Sequence, residues 1–197
     1  MNPANVLDIL AAGKLVREGI AIREAHSTST LIRSENMNIV VDTSSNFMRP
    51  AITTSLEQIG ILPSEIDIIV LTHSHHDHCE NNNIFKKAKI YVRKEENFEA
   101  KNMIEVTEDI DITPGVKLIH TPGHTKGSMS VFVNGDRKYA IAGDAIPLED
   151  NYRKMTPPRI NYDEVTALKS IKIITDYADI IIPGHGMPFL KDGGMMK

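Results

Sequence analysis

Apolar positions along this chain keep two rhythms, and the switches between them mark out the elements. Short runs rich in Ile and Val, bounded by Gly, Asn, Asp or Ser, read as strands. They cover residues 5–10, 19–24, 28–33 and 38–42 in the first third, with turns at Gly13 and across residues 34–36. The rhythm then becomes helical: Pro50 stands at a first turn, Ile52, Leu56 and Ile59 share one face, and Gly60 is the stop. The run 66–71 reads as a buried strand, followed by a short helix near 82–85, a strand 89–92 and a polar helical stretch 94–101. Strands 115–120, 128–133 and 138–142 come next, the last two joined by a hairpin turn at Asn134-Gly135-Asp136. Val165, Leu168, Ile171 and Ile174 place a helix over 163–177, and a closing strand 179–182 runs into Pro183-Gly184-His185-Gly186.

The order is strands, helix, strand, then strands, helix and a closing strand. Two such halves predict an α/β fold of two packed sheets with helices on the outside. No repeat, low-complexity tract or long linker divides the chain, so one domain over residues 1–197 is expected. In that layout the polar residues at strand ends converge on one rim.

Composition narrows the function. With 41% apolar and 24% charged residues the chain can bury a proper core. A net charge of −4 gives no global attraction to nucleic acid or to an anionic membrane. No apolar run is long enough to span a bilayer, and no basic segment followed by an apolar one opens the chain. The single cysteine, Cys79, excludes an intramolecular disulfide and suits a reducing compartment. A cytoplasmic location is expected.

The chemistry sits in Thr72-His73-Ser74-His75-His76-Asp77-His78, directly behind the 66–71 strand. Only 8 histidines occur in 197 residues, so the crowding does not come from composition. Neutral imidazole and carboxylate hold zinc, iron or manganese. His73 and His75 lie two apart on chain leaving a strand, so their rings can point the same way. Asp77 and His78 follow as the backbone turns into a helix. Three later positions repeat one grammar, a buried strand ending in a glycine-flanked ligand: Gly123-His124, Gly143-Asp144 and Gly184-His185. His76 breaks the spacing and is expected to be exposed. His26, His120 and Cys79 are expected to be structural.

The motif order H-x-H-x-D-H, then H, D and H resembles that of the metallo-β-lactamase superfamily, over nearly the whole chain and including the Val40-Val41-Asp42-Thr43 strand. That resemblance implies a four-layer αβ/βα sandwich with its site on one edge of the sheets. It implies a first metal held by His73, His75 and His124 and a second by Asp77, His78 and His185, with Asp144 bridging. Two divalent ions, zinc before iron or manganese, would share a water whose pKa falls toward about 7, giving a bridging hydroxide as nucleophile. Asp77 would orient that water as the catalytic carboxylate. Thr72, Thr121 and Thr125 are candidates to anchor the imidazoles.

Among branches of the superfamily, the chain lacks the signature that follows the aspartate in glyoxalase II and in persulfide dioxygenases. Acyl-homoserine-lactone lactonases are similar around Gly143-Asp144-Ala145, but their catalytic tyrosine falls where Pro147 stands. Residues 182–189 resemble the compact proteins called metallo-β-lactamase domain-containing protein 1. The reading is a dinuclear metal-dependent hydrolase of a small ester, thioester or lactone, with a phosphodiesterase or ribonuclease as alternative and a mononuclear-iron oxygenase third. Lys126, Tyr152 and Arg153 are the substrate-contact candidates, because they follow His124 and Asp144 closely. The basic residues Lys86–Lys94 and Arg153–Arg159 read as solvated surface, with a phosphate-binding rim as the alternative. The partner is a small molecule rather than a membrane; nucleic acid is disfavoured, and the oligomeric state, a homodimer included, is left open.

Overall fold

The computed structural model describes residues 5–35 and 37–192, so the final residue of the expected 34–36 turn lies outside the described residues. The first sheet is built from β1 (Val6–Ala11), β4 (Ser29–Ser34), β5 (Met37–Val41), β6 (Ile68–Val70), β7 (Lys89–Arg93) and β8 (Met103–Val106), hydrogen-bonded in that order. The second has β14 (Phe189–Leu190), β13 (Ile180–Pro183), β12 (Lys138–Gly143), β11 (Met129–Asn134), β10 (Val116–His120) and β9 (Ile110–Thr113) in that order. A separate hairpin, β2 (Lys14–Glu18) with β3 (Ala21–His26), projects between β1 and β4.

Adjacent residues on the central strands pack into different cores, as a period of two requires when both faces are covered. Ile32, Val41, Val70, Val131, Ile141 and Ile182 meet between the two sheets. Their chain neighbours Leu31, Val40, Ile69 and Leu71 pack outward on Ile52 and Leu56 of α1 (Arg49–Ile59). On the other side Phe132, Ala140, Ala142 and Ile181 pack on Ile171 and Ile174 of α4 (Glu164–Tyr177). The layers are therefore helix, sheet, sheet, helix, the αβ/βα sandwich the sequence implies.

The long helices follow their local signals. Pro50 starts α1 and Gly60, at φ +80°, ends it. Asp163 caps α4 through the amides of Val165 and Thr166. Other expectations fail for physical reasons. The polar stretch 94–101 is only one 3-10 turn, Lys94–Glu96, because Asn97 turns left-handed at φ 49° and Glu96 is engaged elsewhere. Between Asp144 and α4, where the sequence pattern marks no element, lies a short helix, α3 (Glu149–Lys154), held by the i,i+4 pairs Arg153–Glu149 and Lys154–Asp150. The strands β2, β8, β9 and β14 lack the dense apolar runs of the core strands, being edge or hairpin elements. Among the described residues no helix is long and apolar enough to cross a membrane.

Candidate metal centre

One edge of the sandwich gathers the ends of four strands. The segment after β6 carries His73, His75 and, on the short helix α2 (His76–Cys79), Asp77 and His78. The loop after β10 carries His124, Asp144 follows β12 and His185 follows β13. The segment after β6 is pinned on three sides: Met129 N–H donates to the Thr72 carbonyl, Ser27 N–H to that of Asp77 and Thr43 N–H to that of His78.

All seven predicted ligands come together. Donor atoms of His73, His75 and His124 lie within 4.8 Å of one another, and so do those of Asp77, His78 and His185. Asp144 faces both groups. Its Oδ2 is 3.6 Å from His124 Nε2, while its Oδ1 is 3.5 Å from His78 Nε2 and 3.2 Å from His185 Nε2. Glycine makes this approach feasible, since a Cβ on Gly184 would stand 2.0 Å from Asp144 Oδ1.

The buried imidazoles are aimed by their outer nitrogens. His124 Nδ1 donates to the Ile160 carbonyl at 2.7 Å and His185 Nδ1 to that of His26 at 2.8 Å. Asp42 organises the other pair: it accepts from the Thr72 amide, the Thr72 hydroxyl and His78 Nδ1. The Thr72 hydroxyl, its proton given to Asp42, is left to accept from His73 Nδ1 at 3.1 Å. These assignments, inferred from the network, leave each Nε2 lone pair facing inward. Glu96 braces the outer side, accepting from Ser74 N–H and hydroxyl in one ligand loop and from Thr125 hydroxyl and Gly127 N–H in the other.

The donor set fits cations rather than internal hydrogen bonding. His75 Nδ1 stands 3.0 Å from both His73 Nε2 and His124 Nε2, but it has at most one proton to share between two lone pairs. Ligands at about 2.0–2.1 Å around a tetrahedral ion would be spaced by roughly 3.3 Å, close to what is seen. His78 Nε2 and Asp144 Oδ1 are buried without any hydrogen-bond partner, a costly arrangement that a cation between them relieves.

The electrostatics agree. Burial, with the His78 charge beside it, holds His73 well below the usual imidazole range, and burial with His124 lowers His75. Burial opposes charge on His78 and His185 too, yet Asp42 and Asp144 outweigh it at His78, and Asp144 at His185, raising both. Burial alone would raise Asp144, but His185 and His78 hold its carboxyl well below the ordinary value. The negative field that would keep a proton on these rings equally favours a divalent ion.

Other candidates are placed elsewhere. His76 is exposed. His120 bonds through Nε2 to the Lys126 carbonyl, and His26 stacks on Phe47 and bonds Ser45. Cys79 packs against the outer core of the first sheet, and burial pushes its thiol up to about 11. The structure does not bring Lys126, Tyr152 or Arg153 to the metal centre. Lys126 is exposed, Tyr152 Oη donates to the Lys191 carbonyl, and Arg153 donates to Glu149, Leu190 and Lys191. The cleft over the ligands is lined instead by Leu15, Arg17 and Ile22 of the hairpin and by Pro147, Arg159 and Ile160. Sequence reading passed over Arg17, Glu96 and the aiming role of Asp42. Only Asp42 left a signal, at the end of an Ile-Val-Val strand.

The family model of the metallo-beta-lactamase superfamily matches residues 22–110 and 100–185. The chain belongs to that superfamily. It is 40% identical over 185 residues to a protein of Methanocaldococcus jannaschii described as a probable metallo-hydrolase, covering 91% of this chain and 86% of that protein. It is 31% identical to metallo-beta-lactamase domain-containing protein 1 of Xenopus laevis, covering 88% and 77%. A metallo-beta-lactamase-like structure from Thermotoga maritima superposes with a TM-score of 0.79 at 20% identity, covering 95% of this chain and 99% of that one. A Bacillus thuringiensis protein with N-decanoyl-L-homoserine at its active site gives 0.75 at 21% identity, with 94% of each chain covered.

Proposed function

We propose that the chain, a metal-dependent hydrolase, binds two divalent ions and cleaves a small ester, thioester or lactone. The observation that supports this most is Asp144, whose two carboxylate oxygens face opposite ligand groups while one of them is buried without a partner. His73, His75 and His124 would hold one ion, Asp77, His78 and His185 the other, with Asp144 between; zinc suits this set, and iron or manganese also bind such ligands. Two ions in such a site polarise the attacked oxygen and lower the pKa of a water from 15.7 to about 7.

The chain's own residues then set the geometry. Asp77 is about a quarter exposed at the cleft, so its carboxylate can accept a hydrogen bond from an incoming water and orient it. Asp42, Thr72 and the carbonyls of His26 and Ile160 keep the imidazoles from rotating, so little reorganisation is needed during reaction. The apolar cleft walls Leu15, Ile22 and Ile160 suit the stem of an acyl group. The superposing Bacillus thuringiensis protein, with an acyl-homoserine bound, supports the same substrate class.

A panel of esters, thioesters, lactones and phosphodiesters tests this reading. Turnover should fall on the carbonyl substrates and drop at least a hundredfold in Asp144→Ala. Turnover of phosphodiesters alone would refute it.

A further inference from the structure

The cleft above the metal ligands is walled by two segments that contribute no ligand. The β2–β3 hairpin supplies Leu15, Arg17, Ile22 and Ala25, and the chain after α3 supplies Pro158, Arg159 and Ile160. The two segments are tied together, because Arg159 Nη1 donates to the Gly19 carbonyl at the hairpin turn, 2.8 Å away. The cleft is small, about 70 Å³. A substrate larger than that space would extend along the segments that wall it.

The charges on this wall are unevenly matched. Lys14 pairs with Glu24 at 2.8 Å and Arg23 with Glu18 at 2.6 Å, so the other two cations of the hairpin are neutralised. Arg17 and Arg159 have no carboxylate partner among the described residues, and the Gly19 carbonyl leaves the Arg159 charge uncompensated. Both line the cleft. Two free guanidiniums beside apolar walls form a site for an organic anion, since the planar fork matches carboxylate and phosphate oxygens.

We propose that Arg17 and Arg159 form an anion-binding rim, so that the preferred substrate carries a carboxylate or phosphate a few atoms from the bond that is cut. This substrate class rests on the hydrolase reading above. The acyl stem would lie against Leu15, Ile22 and Pro158, the anion would meet the arginines, and the scissile carbonyl would reach the ligand cluster. The rim selects by charge and distance, and takes no part in bond breaking.

The test compares 4-nitrophenyl esters of butyrate, glutarate and 4-phosphonobutyrate with the metal-loaded protein. The anionic esters should exceed the neutral one in kcat/KM by about tenfold at low salt and by less at high salt. The glutarate and phosphonate arms decide which anion fits better. Arg17→Gln and Arg159→Gln should each shrink the ratio through KM. Arg17→Lys, which keeps the charge but not the planar fork, should keep only part of it, and Arg137→Gln, in the exposed β11–β12 turn, should leave the ratio where it is. A ratio unmoved by either Gln variant overturns the proposal. If no ester is hydrolysed, titration calorimetry separates the two claims. Glutarate binding that weakens in the Arg17→Gln/Arg159→Gln double variant keeps the rim while the hydrolase reading falls. Glutarate binding equal in wild type and double variant means that the ions alone take the carboxylate, and the rim is refuted.

Discussion

Asp42 stands at the end of β5 with φ of 53°, a left-handed conformation that costs a non-glycine residue free energy. It is buried, and all three of its side-chain contacts run toward the ligand rings: Thr72 twice and His78 once. Asp42→Asn keeps the shape and tolerates the backbone, but an amide cannot replace a carboxylate that only accepts. Loss of the negative charge also removes what favours a cation at His78. Metal affinity should fall about 10–100-fold in this variant, measured by competition with a chromophoric chelator. An unchanged affinity would show that the strained carboxylate serves only the fold.

At the scale of elements, the two long helices and the central strands were legible because local signals and burial agree there. Pro50 and Gly60 bracket α1, and Asp163 starts α4. The gathering of the seven candidate ligands at one edge was equally legible, since the segments that carry them follow strands whose Ile and Val content betrays them. Edge strands such as β8 and β9 were not, for their burial comes from register with neighbours rather than from their own pattern. Nor could spacing reveal that Glu96 leaves a would-be helix to brace Ser74 and Thr125. Arg17 and Arg159, far apart in sequence, meet the site only because a hairpin folds over it.

The Asp163 cap lends itself to a pH test. Hydrogen bonds from the Thr166 hydroxyl and the Thr166 and Val165 amides hold its carboxyl below the ordinary value. A depressed carboxyl stabilises the fold above its unfolded pKa of about 3.9, and that contribution is lost as pH falls through the folded value. Asp163→Ala should therefore lower the melting temperature by about 2–4 °C near pH 7. The gap from wild type should close as the pH is taken down through the acid range. A gap that stays constant would mean that the cap acts through packing rather than charge.

At the scale of the whole molecule, the metal centre is also a fastening. Its ligands come from both sheets, with β6 on one side and β12 and β13 on the other, so ions held there would join the two halves of the sandwich. Ligand binding at a hundredfold excess over Kd stabilises a fold by about 2.7 kcal/mol. Removing metal with a chelator should lower the melting temperature by about 5–10 °C, and adding back a divalent ion should restore it. An identical melting curve with and without chelator would separate the centre from the stability of the fold.

The central claim, that the seven ligands form one two-ion centre, is met most directly by counting ions. Protein purified without added metal, then loaded with zinc and freed of excess, would be analysed by elemental mass spectrometry against protein concentration. We expect about two divalent ions per chain in wild type and fewer than one in Asp144→Ala. One ion per chain in both proteins would contradict the two-ion centre.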